Sequence, residues 1–170
     1  MPGQATLEDI MDLALSGDTL ADALGFAAFL RAEGLHIEYN PDEQAQGKWT
    51  GAIGGVVGDS IGYMYVDSGA DFPAPWCIWL NEYEFDDSGS EEDDALKHFL
   101  WANVNKCTRC NPDWEHCGGG DRTVLGKTFE RLCHSPMFFY MPDTEKLRML
   151  KKLMPKVYTK RTAGAGPALP

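Results

Sequence analysis

Four of the chain's five cysteines fall within 27 residues, from Cys107 to Cys133, and no other feature limits the fold as strongly. The segment runs Cys107-Thr-Arg-Cys110-Asn-Pro-Asp-Trp-Glu-His116-Cys117-Gly-Gly-Gly, and Cys133-His134 follows after a further element. A Cys-x2-Cys pair lets two thiolates grip one tetrahedral ion from a tight turn. Cys117 lies a short loop beyond the pair, and Cys133 returns to it from the next element. Gly118, Gly119 and Gly120 free the backbone to turn sharply after the third sulfur. The pattern predicts a structural zinc ion held by Cys107, Cys110, Cys117 and Cys133. His116 and His134 are substitute ligands only, because sequence neighbours rarely bind the same ion.

Two other chemistries fit the same residues. Cysteine is readily buried as a free thiol without any metal. A thiol-disulfide redox enzyme would use Cys107 and Cys110, where Lys106 and Arg109 favour the thiolate. Against it, the pair follows a predicted helix, and the negative end of a helix dipole destabilises a thiolate. An odd cysteine count, with four clustered, also argues against a secreted disulfide framework and points to the cytoplasm.

A length of 170 residues suits one domain, and an apolar fraction of 44% is enough to pack a core. No apolar run reaches the roughly 20 residues of a membrane span. The N-terminus MPGQATLEDIMD lacks the basic start of a secretory signal. The net charge of −11 is unevenly spread. Residues 1–105 hold three basic side chains (Arg31, Lys48, Lys97) against twenty acidic, whereas residues 106–170 hold twelve against six. A chain this acidic repels nucleic acid overall, so zinc-knuckle-like binding through the basic part and Trp114 ranks below the other readings.

Local signals place the elements. Thr6 followed by Leu7, Glu8 and Asp9 predicts a capped short helix. A second helix starts near Asp18 and stops at Gly34. Trp49 to Val57 reads as a Gly-interrupted strand, joined through a hairpin at Gly58-Asp59 to the alternating run Ile61 to Val66. Trp76 to Leu80 reads as a central strand, with Cys77 in the core. Asp86 to Asp94, six acids in nine residues, reads as a solvated loop with Ser90 capping a helix that ends near Asn105. Met137 to Met141 predicts a short strand. A last helix from Pro142-Asp143 is expected to stop at Pro155. The expected organisation is one α+β domain over 1–158, containing the cysteine segment 107–133, then a disordered tail over 159–170.

Few other residues suggest chemistry. The glycines at 51, 54, 55, 58 and 62 lack the Gly-Lys-Ser/Thr ending of a phosphate loop. His36 and His98 have no partner at metal spacing, and the acidic run lacks the ligand pattern of a calcium loop. Aromatic side chains are the exception. Tyr63, Tyr65, Trp76 and Trp79 lie on predicted strands of one sheet and are candidates to line a ligand pocket.

The order of elements, with Cys-x2-Cys…Cys-Gly-Gly-Gly, Leu125-Gly-Lys-Thr-Phe129 and Phe139-Tyr-Met-Pro-Asp143 before a basic helix, resembles small proteins of anaerobic bacteria with a C-terminal Cys-x2-Cys…Cys segment. The likeness lies mainly in residues 107–153 and carries no activity with it. The layout of helices about a small sheet also looks like frataxin- or YjbR-type domains, in architecture only. Taken together, the expectation is an α+β fold whose small antiparallel sheet is packed by helices. Its expected role is a non-enzymatic, intracellular binding module with structural zinc and a small molecule or protein as partner.

Overall fold

The computed structural model of the chain describes residues 6–39, 48–54, 60–67, 74–80, 94–107, 119–133 and 137–164. Four helices accompany a five-stranded antiparallel sheet and a separate two-stranded sheet, an α+β fold. The chain divides into two compact units, residues 1–79 with 139–170 and residues 80–138.

In the first unit, helix α1 (Leu7–Ala14) begins where the sequence places it. The Thr6 hydroxyl accepts from the Asp9 amide at 3.2 Å, and the Asp9 carboxylate accepts from the Thr6 amide at 2.8 Å. This reciprocal box satisfies two N–H groups that the first turn leaves without intrahelical partners. Helix α2 (Gly17–Ala32) buries Ala23, Phe26, Ala27 and Leu30, a stripe at helical spacing. It stops at Gly34, whose φ is +74°. The Leu35 amide donates to the Leu30 carbonyl at 2.8 Å and the Gly34 amide to Arg31 at 3.0 Å, the bonding of a Schellman motif.

The large sheet contains β1 (Ile37–Tyr39), β2 (Lys48–Ile53), β3 (Gly62–Asp67), β4 (Trp76–Leu80) and β7 (Met137–Tyr140), in the order β1-β2-β3-β4-β7. Strands β2 and β3 pair Trp49 with Val66, Thr50 with Tyr65, Gly51 with Met64 and Ala52 with Tyr63. Directly opposed residues share a face, so Trp49, Gly51, Met64 and Val66 lie on one side and Thr50, Ala52, Tyr63 and Tyr65 on the other. Gly51 is required by space. A Cβ there would meet the Trp49 ring and the Ile37 side chain, each at 2.3 Å. The expected turn at Gly58-Asp59 lies outside the described residues, although the pairing it was to join is present. Helix α1 lies near β3, and α2 packs on both α1 and α4 (Thr144–Gly164).

Helix α4 departs from expectation by running through Pro155 to Gly164. A proline inside a helix removes one hydrogen bond and crowds the preceding carbonyl, at roughly 3 kcal/mol. Here the apolar stripe continues across it, since Leu150, Leu153, Met154 and Val157 are all buried. Burial on both sides of Pro155 outweighs the local penalty. The helix also extends over 159–164, the start of the segment expected to be disordered. No helix among the described residues is long and apolar enough to cross a membrane.

The second unit holds helix α3 (Asp94–Asn103) and the hairpin of β5 (Gly120–Val124) with β6 (Lys127–Leu132). Leu96 and Leu100 form the buried side of α3. The chain enters this unit after β4 and returns at β7, which lies beside β4 in the sheet. The acidic run lies outside the described residues except for Asp94, the first residue of α3.

Candidate functional site

The hairpin is the part of the cysteine region that the sequence reading missed. Its two-residue turn is Leu125-Gly126, with φ of +45° and +79°. Positive φ at both central residues is the type I′ geometry, which matches the twist of paired strands. Leucine is an unusual occupant of the first position. Its side chain is buried, which offsets the backbone strain. The only sequence signal was Leu125-Gly126 between Thr123-Val124 and Lys127-Thr128.

Further along, β6 carries one extra residue. Gly120 pairs with Leu132 and Arg122 with Phe129, so three steps on β6 match two on β5. This is a bulge, with Arg131 at φ +54° and its amide donating to the Asp121 carboxylate at 3.1 Å. The hairpin is tied to α3 by the Trp101 indole N–H, which donates to the Val124 carbonyl at 2.7 Å. Lys127 Nζ sits 5.2 Å from the centre of the Trp101 ring and 5.1 Å from that of Phe129, within cation–π range of both.

The first and last cysteines meet on this scaffold. Past the end of α3, Lys106 forms an antiparallel bridge with Leu132. The Cys107 amide donates to the Arg131 carbonyl at 2.8 Å, and the Cys133 amide to the Asn105 carbonyl at 2.9 Å. Cys107 and Cys133, far apart in sequence, are therefore diagonal neighbours on two paired segments, a relation that sets Cβ atoms about 7 Å apart. Both are free thiols, Cys107 buried and Cys133 half-buried. Gly119 packs directly on Cys107 and on the Arg131–Leu132 backbone. Its φ is +65°, and a Cβ there would stand 2.6 Å from Cys107 Cβ and 2.8 Å from the Leu132 carbonyl oxygen. One member of the glycine run thus has both the left-handed backbone and the close approach that glycine alone permits.

Cys110 and Cys117, with His116 and Trp114, lie outside the described residues, as does His134. Among the described residues no three His, Cys, Asp or Glu side chains form a metal-holding group. Cys107 itself lies past the C-terminal end of α3, next to the Lys106–Leu132 bridge.

The aromatic candidates separate. Tyr63 and Trp79 touch, with ring centroids 5.2 Å apart and planes tilted by 41°. Both are half-buried, as is Tyr65, which shares the face of Tyr63 by strand alternation. Trp76, three residues from Trp79 on the same strand, falls on the opposite face and is fully buried. It is a core side chain and not part of a surface with the other three. On the same face as these three, Ala52 is fully buried and Thr50 and Cys77 nearly so. Burial also pushes the Cys77 thiol up to about 12, which leaves it protonated and inert at neutral pH.

The fold and this region together define a small α+β protein with a cysteine-bearing inserted unit. Comparison with known proteins finds no matching family model, curated protein or solved structure.

Proposed function

We propose that the protein is a non-enzymatic binding module whose inserted unit is held by one structural zinc ion. The ligands are Cys107, Cys110, Cys117 and Cys133. The observation that carries this reading is the short ladder of Asn105–Cys107 with Arg131–Cys133, which brings the outermost two cysteines onto adjacent backbone. Chain length supports the other two. Three residues span at most about 10 Å and two about 7 Å, so Cys110 is tethered to Cys107, and Cys117 to Gly119, within reach of the pair. Four thiolates make a closed tetrahedral set, which suits a structural ion better than a catalytic one with an open position. Free cysteines in a zinc-binding set fit a reducing, cytoplasmic compartment.

The half-buried aromatic patch of Tyr63, Tyr65 and Trp79 is the surface we assign to a small-molecule or protein partner. Its rings offer apolar area, and two phenol hydroxyls offer direction.

Metal analysis of the purified protein, paired with a thiol count, tests the zinc site. One zinc per chain is expected, with the four clustered thiols unreactive until the ion is chelated. Cys133→Ser should lower zinc retention. A metal-free chain with a readily reducible Cys107–Cys110 bridge would replace this reading with the redox one.

A further inference from the structure

We infer that the exposed face of α4 is a docking surface for an acidic helical segment of another protein. The inference needs neither the zinc ion nor the aromatic patch.

Arg148, Lys152 and Lys156 recur every fourth residue along α4 and are all exposed, while Leu147, Leu150, Leu153, Met154 and Val157 form its buried side. Four residues rise about 6 Å, so the three cations make a stripe about 12 Å long. Two other lysines have their own contacts. Lys146 Nζ lies 4.0 Å from the Asp143 carboxylate, and Lys151 Nζ lies 5.6 Å from the centre of the Phe29 ring. From Lys146 to Gly164 the helix holds no acidic residue. Two ordinary explanations for such a stripe fail here. Cations stabilise a helix near its C-terminal end, but that effect fades beyond the last turn. Because α4 runs on to Gly164, Lys152 and Lys156 lie well before its last turn. A solvated surface helix places opposite charges at four-residue spacing, whereas like charges at that spacing destabilise it. A local rule broken without local return is expected where a surface serves a function.

Glu145 shows what the stripe accepts. Its carboxylate takes hydrogen bonds from Arg148 Nε at 2.8 Å and Nη2 at 2.6 Å. The Arg148 hydrogen bond first, then the charges of Arg148 and Lys152, hold the Glu145 carboxyl below its ordinary 4.5. The pair is exposed on both sides, so a competing carboxylate can exchange with it at little cost. Glutamates repeating every fourth residue on a second helix have the same 6 Å rise, about the spacing of the three cations. Charge selects among anionic partners. Residues 1–79, in the same unit as α4, hold two basic side chains (Arg31, Lys48) against twelve acidic. A nucleic acid extends past the stripe and meets that acidic surface, as does an anionic membrane, and a net charge of −11 repels both. A short acidic helix ends where the stripe ends. The apolar side of α4 is in the core, so it is not available to sink into a bilayer as an amphipathic anchor. Among the described side chains of α4 no large apolar one is exposed, so the complex rests on charge and is sensitive to salt.

Fluorescence anisotropy with the full chain tests the surface. The probes are a labelled helical peptide with glutamate at every fourth position, its glutamine counterpart, a labelled single-stranded oligonucleotide and vesicles containing phosphatidylserine. The glutamate peptide should bind, and its affinity should fall at least about tenfold between roughly 0.01 and 0.15 M salt as screening shortens. The glutamine peptide should not bind. Lys152→Glu with Lys156→Glu turns two attractions into repulsions and should weaken binding about tenfold or more. Lys152→Arg with Lys156→Arg should bind as wild type does. Lys97→Glu with Lys106→Glu makes the same change of net charge outside this unit and should weaken binding less than about threefold. All the substituted side chains lie at or near the surface, and far-UV circular dichroism checks that each variant keeps its helix content. No binding of the glutamate peptide at low salt would overturn the proposal. So would equal weakening by the two charge reversals, which would reduce the effect to net charge. Tighter binding of the oligonucleotide or the vesicles, lost with Lys152 and Lys156, would keep the surface and replace the acidic helix as its partner.

Discussion

Replacing Gly119 by alanine tests whether the cysteine ladder is packed as described, because two separable costs apply there. The first is conformational. At φ +65° a residue with a Cβ pays about 1 kcal/mol or somewhat more for the left-handed backbone. The second is steric. The new methyl would stand 2.6 Å from Cys107 Cβ, 2.8 Å from the Leu132 carbonyl oxygen and 3.1 Å from that of Arg131. None of the three is the loose end of a flexible side chain. Both carbonyls belong to residues held by the hairpin and the ladder, so relief requires the ladder to spread, at about 1–3 kcal/mol as in other overpacked interiors. Together these give a loss of about 2–5 kcal/mol. Gly17 supplies the control, since its φ is +57° but nothing lies within 4 Å of its missing methyl. Gly17→Ala should therefore show the conformational part alone, about 1 kcal/mol. The readout is exchange of the Cys107 and Cys133 amides, which should accelerate about 30-fold or more in Gly119→Ala at 1.4 kcal/mol per decade. A Gly119→Ala protein that exchanges no faster there than wild type would refute the close packing of Gly119 on Cys107.

Two further substitutions probe the first unit. Burial raises the Cys77 thiol from 9.0 to about 12, so the unfolded chain ionises first and stability is full below pH 9 and falls as pH rises towards 12. The slope from this residue should approach about 1.4 kcal/mol per pH unit. Urea unfolding of wild type and Cys77→Ala across pH 8–11 checks it, and parallel curves would contradict it. Thr6→Ala should destabilise α1 by about 1 kcal/mol at neutral pH, the common worth of an N-cap hydroxyl. The Thr6 amide and hydroxyl hold the Asp9 carboxyl below its ordinary 3.8. Its contribution is therefore present above that value and disappears as pH falls through the lower folded one. The gap between Thr6→Ala and wild type, read by exchange of α1 amides, should narrow in acid. A gap that widened would reverse the sign.

What the sequence made legible was local and periodic. The capping box at Thr6, the Gly34 stop and the apolar run Trp76–Leu80 each depend on residues within a few positions of one another. The hairpin was illegible for the same reason. Gly120-Asp-Arg-Thr-Val124 and Lys127-Thr-Phe-Glu-Arg-Leu132 bury few side chains, so their alternation carries little hydrophobic contrast. Their turn places leucine where asparagine or glycine is the usual signal. Pro155 misled because a local rule was applied to a helix whose apolar stripe runs past it. Trp76 and Trp79 could be assigned to opposite faces from spacing alone, but only the contact of Tyr63 with Trp79 shows which of the two joins the tyrosines. For the cysteines, spacing named the candidates, and the pairing of Asn105–Cys107 with Arg131–Cys133 depends on a bulge that no spacing rule contains.

The side-by-side placement of β4 and β7 has a consequence for the chain as it is made. Strand β4 finds its last neighbour only after residues 81–136 have left the ribosome, about 3–11 s at 5–20 residues per second. Through that interval the edge of Trp76-Cys-Ile-Trp-Leu80, apolar on both faces, waits without its β7 partner. An unpaired apolar edge is a template for another nascent copy. Synthesis rate and early ordering of the inserted unit thus set how long the growing sheet is open to mispairing, and slower translation across 81–136 should lower the yield of soluble chain.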